Sequence, residues 1–215
     1  MRALALTIAL FAAAPAGAHP HIFIDTGLEV IFDGQGRPAA VRVSWTYDDF
    51  YSLLMIVDRK LDANYDGVLT PEEEAALSGF DMDWDPDYNG DLFVYAGDLE
   101  VPLSRPADWT ASYADGRITS THLRRFEAPL APGAPLVIQV YDPGYYTAYF
   151  IAGTPLLTGA GAACRVEVSE PDRSAADARL MAAIEEMGRS GDLEMDFPAI
   201  GSAYSEEARV TCATG

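Results

Sequence analysis

Basic charge is what this chain has least of. Its 215 residues carry 14 Lys and Arg against 33 Asp and Glu, a formal charge of −19, and Lys60 is the one lysine. Phosphate backbones and anionic lipid surfaces are held by clustered Lys and Arg, so the composition argues against nucleic acid and anionic membrane as partners. Histidine and cysteine are scarce, at three and two. No Cys-x-x-Cys pair offers a thiolate metal site, and no Gly-rich loop with a Lys offers a phosphate cradle. No Ser/His/Asp or Cys/His constellation points to a hydrolase. Beyond residue 18, no apolar run approaches the length that spans a bilayer. What remains is an apolar share of 49%, ordinary for a globular protein and sufficient for a core without metal or disulfide.

Residues 1–18 read as a secretory signal peptide. Met1-Arg2 is the positive start, Ala3 to Ala14 the apolar run, and Ala16-Gly17-Ala18 the small-x-small cleavage signature. The mature chain, 19–215, is expected to be a single soluble periplasmic domain. In that oxidising compartment Cys164 and Cys212 are expected to pair as a disulfide. The loop they close is worth roughly 4 kcal/mol in the chain-entropy account.

Strand patterns dominate the mature chain. They are expected at His21–Phe32, Ala40–Thr46, Asp91–Ala96, Trp109–Tyr113, Arg117–Phe126, Pro135–Tyr141, Tyr145–Ile151, Cys164–Ser169 and Arg209–Cys212, separated by Gly and Pro clusters. Helical spacing is expected from Asp48 to Lys60, again from Pro71 to Phe80, and from Ser174 to Met187 with Ser174 as N-cap. The expected class is α+β: a mainly antiparallel β domain with an EF-hand-like helix–loop–helix insertion over 48–80 and one further helix.

The motif carrying that insertion is DANYDGVLTPEE, Asp62 to Glu73. Asp62, Asn64 and Asp66 occupy loop positions one, three and five, with Gly67 at six. Val68 would offer its carbonyl, Thr70 stands at nine and Glu73 at twelve, which is the calcium-loop pattern of a hard cation taking oxygen ligands. Upstream, Phe50, Leu53, Leu54, Val57 and Leu61 form an apolar stripe at helical spacing. Downstream, Thr70-Pro71-Glu72-Glu73 reads as a capping box. Asp85 to Asp91 repeats the one-three-five-Gly pattern without the closing Glu and reads as an acidic loop, with Asp81, Asp83 and Asp85 forming a weak cation surface beside it. The bound calcium is expected to act as a structural clip.

Cleavage after Ala18 would expose His19 as the amino terminus, followed by Pro20 and His21. The α-amine and ring of His19, with His21 or His122, would supply nitrogen donors suited to Ni, Co, Zn or Cu. A frayed terminus with incidental histidines is the competing reading. His122, alone in a strand, is a candidate ligand only through scarcity.

The start His19-Pro20-His21-Ile22-Phe23-Ile24-Asp25, the stretch Trp45 to Phe50, the Asp62–Glu73 loop and Asp142-Pro143-Gly144-Tyr145-Tyr146 together resemble a family of uncharacterised bacterial periplasmic proteins. Its members are labelled as a domain of unknown function or as periplasmic components of an ABC-type transport system. The resemblance implies a place beside nickel/cobalt-type permeases. Together with the calcium loop read from Asp62–Glu73, the expectation is a non-catalytic, calcium-loaded accessory protein that binds or delivers a divalent metal for an inner-membrane transporter. Two alternatives stay open: a histidine-brace copper enzyme built on His19, and an adaptor that only binds protein.

Overall fold

Alternation along the strands decides which side chains are inside. In the first strand, β1 (Ile22–Phe32), every second residue from Ile24 to Phe32 is buried. In β2 (Pro38–Tyr47), Val41, Val43, Trp45 and Tyr47 point the same way. The structure, a computed structural model, describes residues 20–159, 164–187 and 197–213. The expected signal peptide and His19 lie outside the described residues.

The remaining strands are β3 (Leu92–Ala96), β4 (Leu99–Glu100), β5 (Ala107–Ala114), β6 (Arg117–Arg125), β7 (Leu136–Val140), β8 (Thr147–Ile151), β9 (Leu156–Thr158), β10 (Cys164–Ser169) and β11 (Glu207–Cys212). One sheet runs β5-β6-β2-β1-β8, with β9 also pairing β1, and the other runs β10-β11-β7-β3-β4. Pairing is antiparallel except where β8 and β9 lie parallel to β1. The inner rows of both sheets, including Val30, Val43 and Ile118 from the first and Val94, Ile138 and Val210 from the second, belong to one apolar cluster. Cys164 and Cys212 are bonded across the β10–β11 pair, as expected.

The α+β expectation is corrected: about 40% of the described residues are strand and 20% helix, in two sheets with four short helices among those residues. These are α1 (Asp49–Asp58), α2 (Pro71–Leu77), α3 (Arg173–Met187) and α4 (Gly201–Tyr204). An EF-hand helix–loop–helix insertion is not evident. The physical reason lies in what each helix packs on: α1 rests on β6 and α2 on β5, so both are outworks of the sheet. At ten and seven residues they lack the length of a self-standing helix pair. The start of α3 also differs, because the Asp172 carboxylate, not Ser174, accepts the Ala175 N–H at 3.0 Å.

The stripe on α1 faces the other way from a core stripe. Its buried side is Ser52 and Ile56. The Ser52 hydroxyl accepts the Ile118 N–H of β6 at 2.9 Å. Phe50, Leu53, Leu54 and Val57 are exposed.

Reducing the Cys164–Cys212 bridge is expected to lower the unfolding free energy by about 4 kcal/mol, the loop-entropy value for its 48-residue separation. Urea denaturation with and without reductant measures this, and an unmoved midpoint would count against the bridge as a staple.

Candidate functional site

The Asp62–Glu73 loop leaves α1 and enters α2 through a tightly wound backbone. Lys60, Asp62, Tyr65 and Gly67 all have φ between 54° and 77°, a region only glycine adopts freely. The Asp62 carboxylate accepts the N–H groups of Asp66 and Gly67 at 3.0 and 3.1 Å. Glu73 spans the ring, its Oε1 accepting from Ala63 at 3.2 Å and its Oε2 from the Thr70 N–H at 2.9 Å. These amides hold the Glu73 carboxyl below its usual range, that of Thr70 contributing most. Thr70 and Glu73 complete the capping box of α2, and Leu69 is buried beneath. Asn64 Nδ2 donates to Asp66 Oδ2 at 2.7 Å. Among the described residues no three His, Cys, Asp or Glu side chains are grouped as metal ligands; the loop's carboxylates are turned onto its own amides. The donor set is all oxygen and so suits a hard divalent cation, which the carboxylates of Asp62, Asp66 and Glu73 would bind by exchanging these amide contacts.

A second cluster forms where β1 begins. Ile22 pairs with Thr147 of β8, so His21 lies beside the Asp142–Thr147 turn. Its N–H donates to Tyr146 O at 2.8 Å, and the two rings are 4.6 Å apart. The Asp142 carboxylate holds that turn by accepting from Gly144, Tyr146 and Thr147. Asp48 clamps Phe23, two residues on: its Oδ2 accepts the Phe23 N–H at 2.9 Å, and its own N–H donates to Phe23 O. Three of the segments that carry the resemblance therefore meet at one corner where His21 and Tyr146 are exposed.

His122 is not at that corner. It pairs with Val43, which pairs with Leu28, seven residues along β1 from His21. At about 3.3 Å per residue that is roughly 23 Å. His122 is fully buried, with Trp45 at 4.7 Å and Trp84 at 5.3 Å between ring centres. Burial, with Arg124 adding to it, lowers its pKa to about 3, so the ring is neutral. Neither ring nitrogen has a hydrogen-bond partner, nor do Trp45 Nε1, Thr26 Oγ1 or Asp81 Oδ1.

These atoms belong to a buried polar layer that sequence reasoning did not find. Asp81 accepts from the hydroxyls of Tyr47 and Ser120. Asp91 accepts from Tyr88 and Tyr149, and burial pushes its pKa up to about 7. Arg124 donates to the carbonyls of Ser104 and Asn89 and lies 4.9 Å over the Trp84 ring. The available signal was the phase of β6: with Ile118 inward, Ser120, His122 and Arg124 must also point inward. Buried Asp91 also removes the last carboxylate of the 85–91 stretch from a solvent-facing cation loop, while Asp83 and Asp85 stay exposed.

The profile of a family described as "Protein of unknown function (DUF1007)" matches residues 4–212. No protein of curated function matches the chain. Among solved structures, the acetylcholine-binding protein type 1 of Biomphalaria glabrata (BgAChBP1) matches 95% of this chain and 90% of its own, at 9% identity and a TM-score of 0.35. A likeness at that score carries no inference. Among the described residues, no helix is long and apolar enough to cross a membrane.

Two of the buried ionisable groups, His122 and Asp91, oppose each other in pH. His122, at about 3 folded against 6.5 as its ordinary value, binds fewer protons in the folded chain, so its contribution is lost as pH falls below 6.5. Asp91, at about 7 against 3.8, binds more protons when folded, so its contribution is lost as pH rises from 3.8 through 7. Asp91→Asn removes the second alone. The variant's stability is then expected to fall with acid more steeply than wild type between about pH 6.5 and 4, by up to roughly 1.4 kcal/mol per unit. Denaturant titrations across that range read it out, and parallel profiles would sink the assignment.

Proposed function

The chain belongs to the DUF1007 family, proteins of unknown function, and within it we propose an exported, non-catalytic metal-binding accessory protein. It holds calcium in the Asp62–Glu73 loop and offers its amino-terminal histidines to a transition-metal ion bound for an inner-membrane transporter. The observation that carries this reading is the corner at the start of β1. There, hydrogen bonds to Tyr146 and Asp48 fix the chain at an exposed His21 and at the two residues that follow it. A terminus pinned this way argues against fraying as far out as His21.

The nitrogen donors are accordingly His19 and His21, and the brace alternative loses His122, buried at a distance. The Pro20 nitrogen carries no proton, so it cannot be the deprotonated amide of a square-planar site. Nickel, cobalt, zinc and copper all accept imidazole. Calcium in an extracellular loop of this kind binds at roughly 10⁻⁴ to 10⁻³ M, which suits a clip that stays loaded outside the cytoplasm. The export route, the periplasm and the transporter rest on the signal-like residues 1–18 and on the resemblance.

The test is elemental analysis and calorimetry of signal-cleaved, untagged protein. One equivalent of calcium is expected, with Glu73→Gln weakening it about tenfold or more, equivalent to at least roughly 1.4 kcal/mol. A second site for nickel, cobalt, zinc or copper is expected to vanish in the His19→Ala/His21→Ala double variant while calcium is unaffected. Protein that binds calcium but none of the four would end the transition-metal reading.

A further inference from the structure

Arg124 is the one buried cation among the described residues, 4% exposed in a chain whose formal charge is −19. A buried guanidinium is ordinarily matched by a carboxylate, because an unpaired charge is costly away from water. Six other arginines do pair with Asp or Glu, and all six are more exposed than Arg124. Among the described residues neither Arg124 nor its neighbour Arg105 has a carboxylate partner. Backbone holds them instead: Arg124 donates to Ser104 O and Asn89 O, and Arg105 to Asp85 O, Tyr88 O and Trp84 O. Both groups also lie against the Trp84 ring, 4.9 and 5.6 Å from its centre. Carbonyls and a ring face fix two guanidinium groups in place without cancelling their charge. Arg124 spends Nε and Nη1 in this way, while Nη2 donates to no described residue and stays within reach of solvent.

Both arginines line one cavity of about 320 Å³, at the lower end of the roughly 300–1,000 Å³ range of small-molecule sites. Leu92, Val101 and Leu103 give it an apolar wall. Asp87, Glu100 and Glu127 also line it, all three exposed and none paired with an arginine. The cavity thus has a buried positive end at Arg124 and an exposed negative edge. We propose that it binds a small zwitterion of the free α-amino acid class. The carboxylate lies on Arg124 with support from Arg105, the ammonium lies at the acidic edge, and an apolar side chain packs on Leu92, Val101 and Leu103. Charge singles out this class. A carboxylate is the planar partner that the fixed guanidinium lacks. A dianion would set its second charge against Asp87, Glu100 and Glu127, and a simple cation would leave Arg124 unmatched.

The site uses none of the residues assigned to either metal, so its test is made with calcium present and no transition metal. The signal-cleaved protein, exhaustively dialysed, is titrated calorimetrically with each common α-amino acid in turn, and with succinate and inorganic phosphate. At least one apolar amino acid is expected to bind with a Kd of about 100 μM or tighter. Its amino alcohol, which lacks the carboxylate, is expected to bind at least about a hundredfold more weakly, and its deaminated acid about tenfold more weakly. Arg124→Lys keeps the charge but loses the planar fork, and is expected to weaken binding about tenfold. Asp87→Asn/Glu127→Gln, at exposed positions, is expected to do the same with the thermal midpoint in place. No binding by any amino acid at about 10 mM overturns the proposal. So does an amino alcohol that binds as tightly as its amino acid, or a double variant at the acidic edge that binds unchanged. Succinate or phosphate binding more tightly than every amino acid overturns the zwitterion and leaves a plain anion site.

Discussion

Strand β1 is hydrogen-bonded along both of its edges, to β2 on one side and to β8 and β9 on the other. Among the described strands no other pairs with three neighbours. A slip of one residue would turn Ile24, Leu28, Val30 and Phe32 outward and carry His21 away from Tyr146. The parallel edge is shared by two short strands separated by a tight turn, and the Ala152 N–H donates to Thr26 O between them. Because β2 is in register with β1, and β6 with β2, the same ladder decides that Ser120, His122 and Arg124 lie under the second sheet.

Burying those three side chains would leave a polar hole in an apolar core, and the segment from Asp81 to Asp91 fills it. Trp84 inserts against Trp45 at 6.1 Å and His122, and its Nε1 donates to Asp81 O at 2.6 Å. Asp81 and Asp91 collect four hydroxyl donors between them. Gly90 is required in this plug. Its φ is +77°, and a Cβ there would come within 2.4 Å of the Trp84 ring and 2.6 Å of Arg124 Nη1. A stretch whose composition, with Asp at 81, 83, 85, 87 and 91, suits a solvated loop is instead the wedge that closes one side of the core.

That reversal shows which parts of the structure were readable from sequence. Nine strands with four or more alternating residues were legible because the period of two survives any detail of packing. The two-residue β4, the three-residue β9 and the single-turn α4 are too short to carry a period. Periodicity also gives a face without giving its direction. The α1 stripe reads as buried by the usual rule, yet Ser52 and Ile56 hold the inward position, because the Ser52 hydroxyl meets the Ile118 N–H of β6. The calcium-loop spacing was visible, but the two helices beside it belong to the sheet, which a motif cannot reveal. The polar layer was missed because its members come from six separate segments, joined only by the sheet registers and the fold of the 81–91 wedge.

Asp48 is the residue on which these separate parts converge. Its Oδ1 accepts the Tyr51 N–H at 2.8 Å as N-cap of α1, while its Oδ2 accepts the Phe23 N–H. One carboxylate thus satisfies an orphan amide at the start of the helix and an edge amide of β1 two residues from His21. The helix it caps is ten residues, roughly 15 Å, and ends directly before the Asp62–Glu73 loop. Its outer face is the apolar stripe. The histidine corner, the stripe and the acidic loop consequently follow one another from Asp48 along α1. A displacement of the loop that moved α1 along its axis would act on the Phe23 amide, because that hydrogen bond and the cap share a side chain. A carboxylate has two oxygens a fixed distance apart, and here each is committed to a different element.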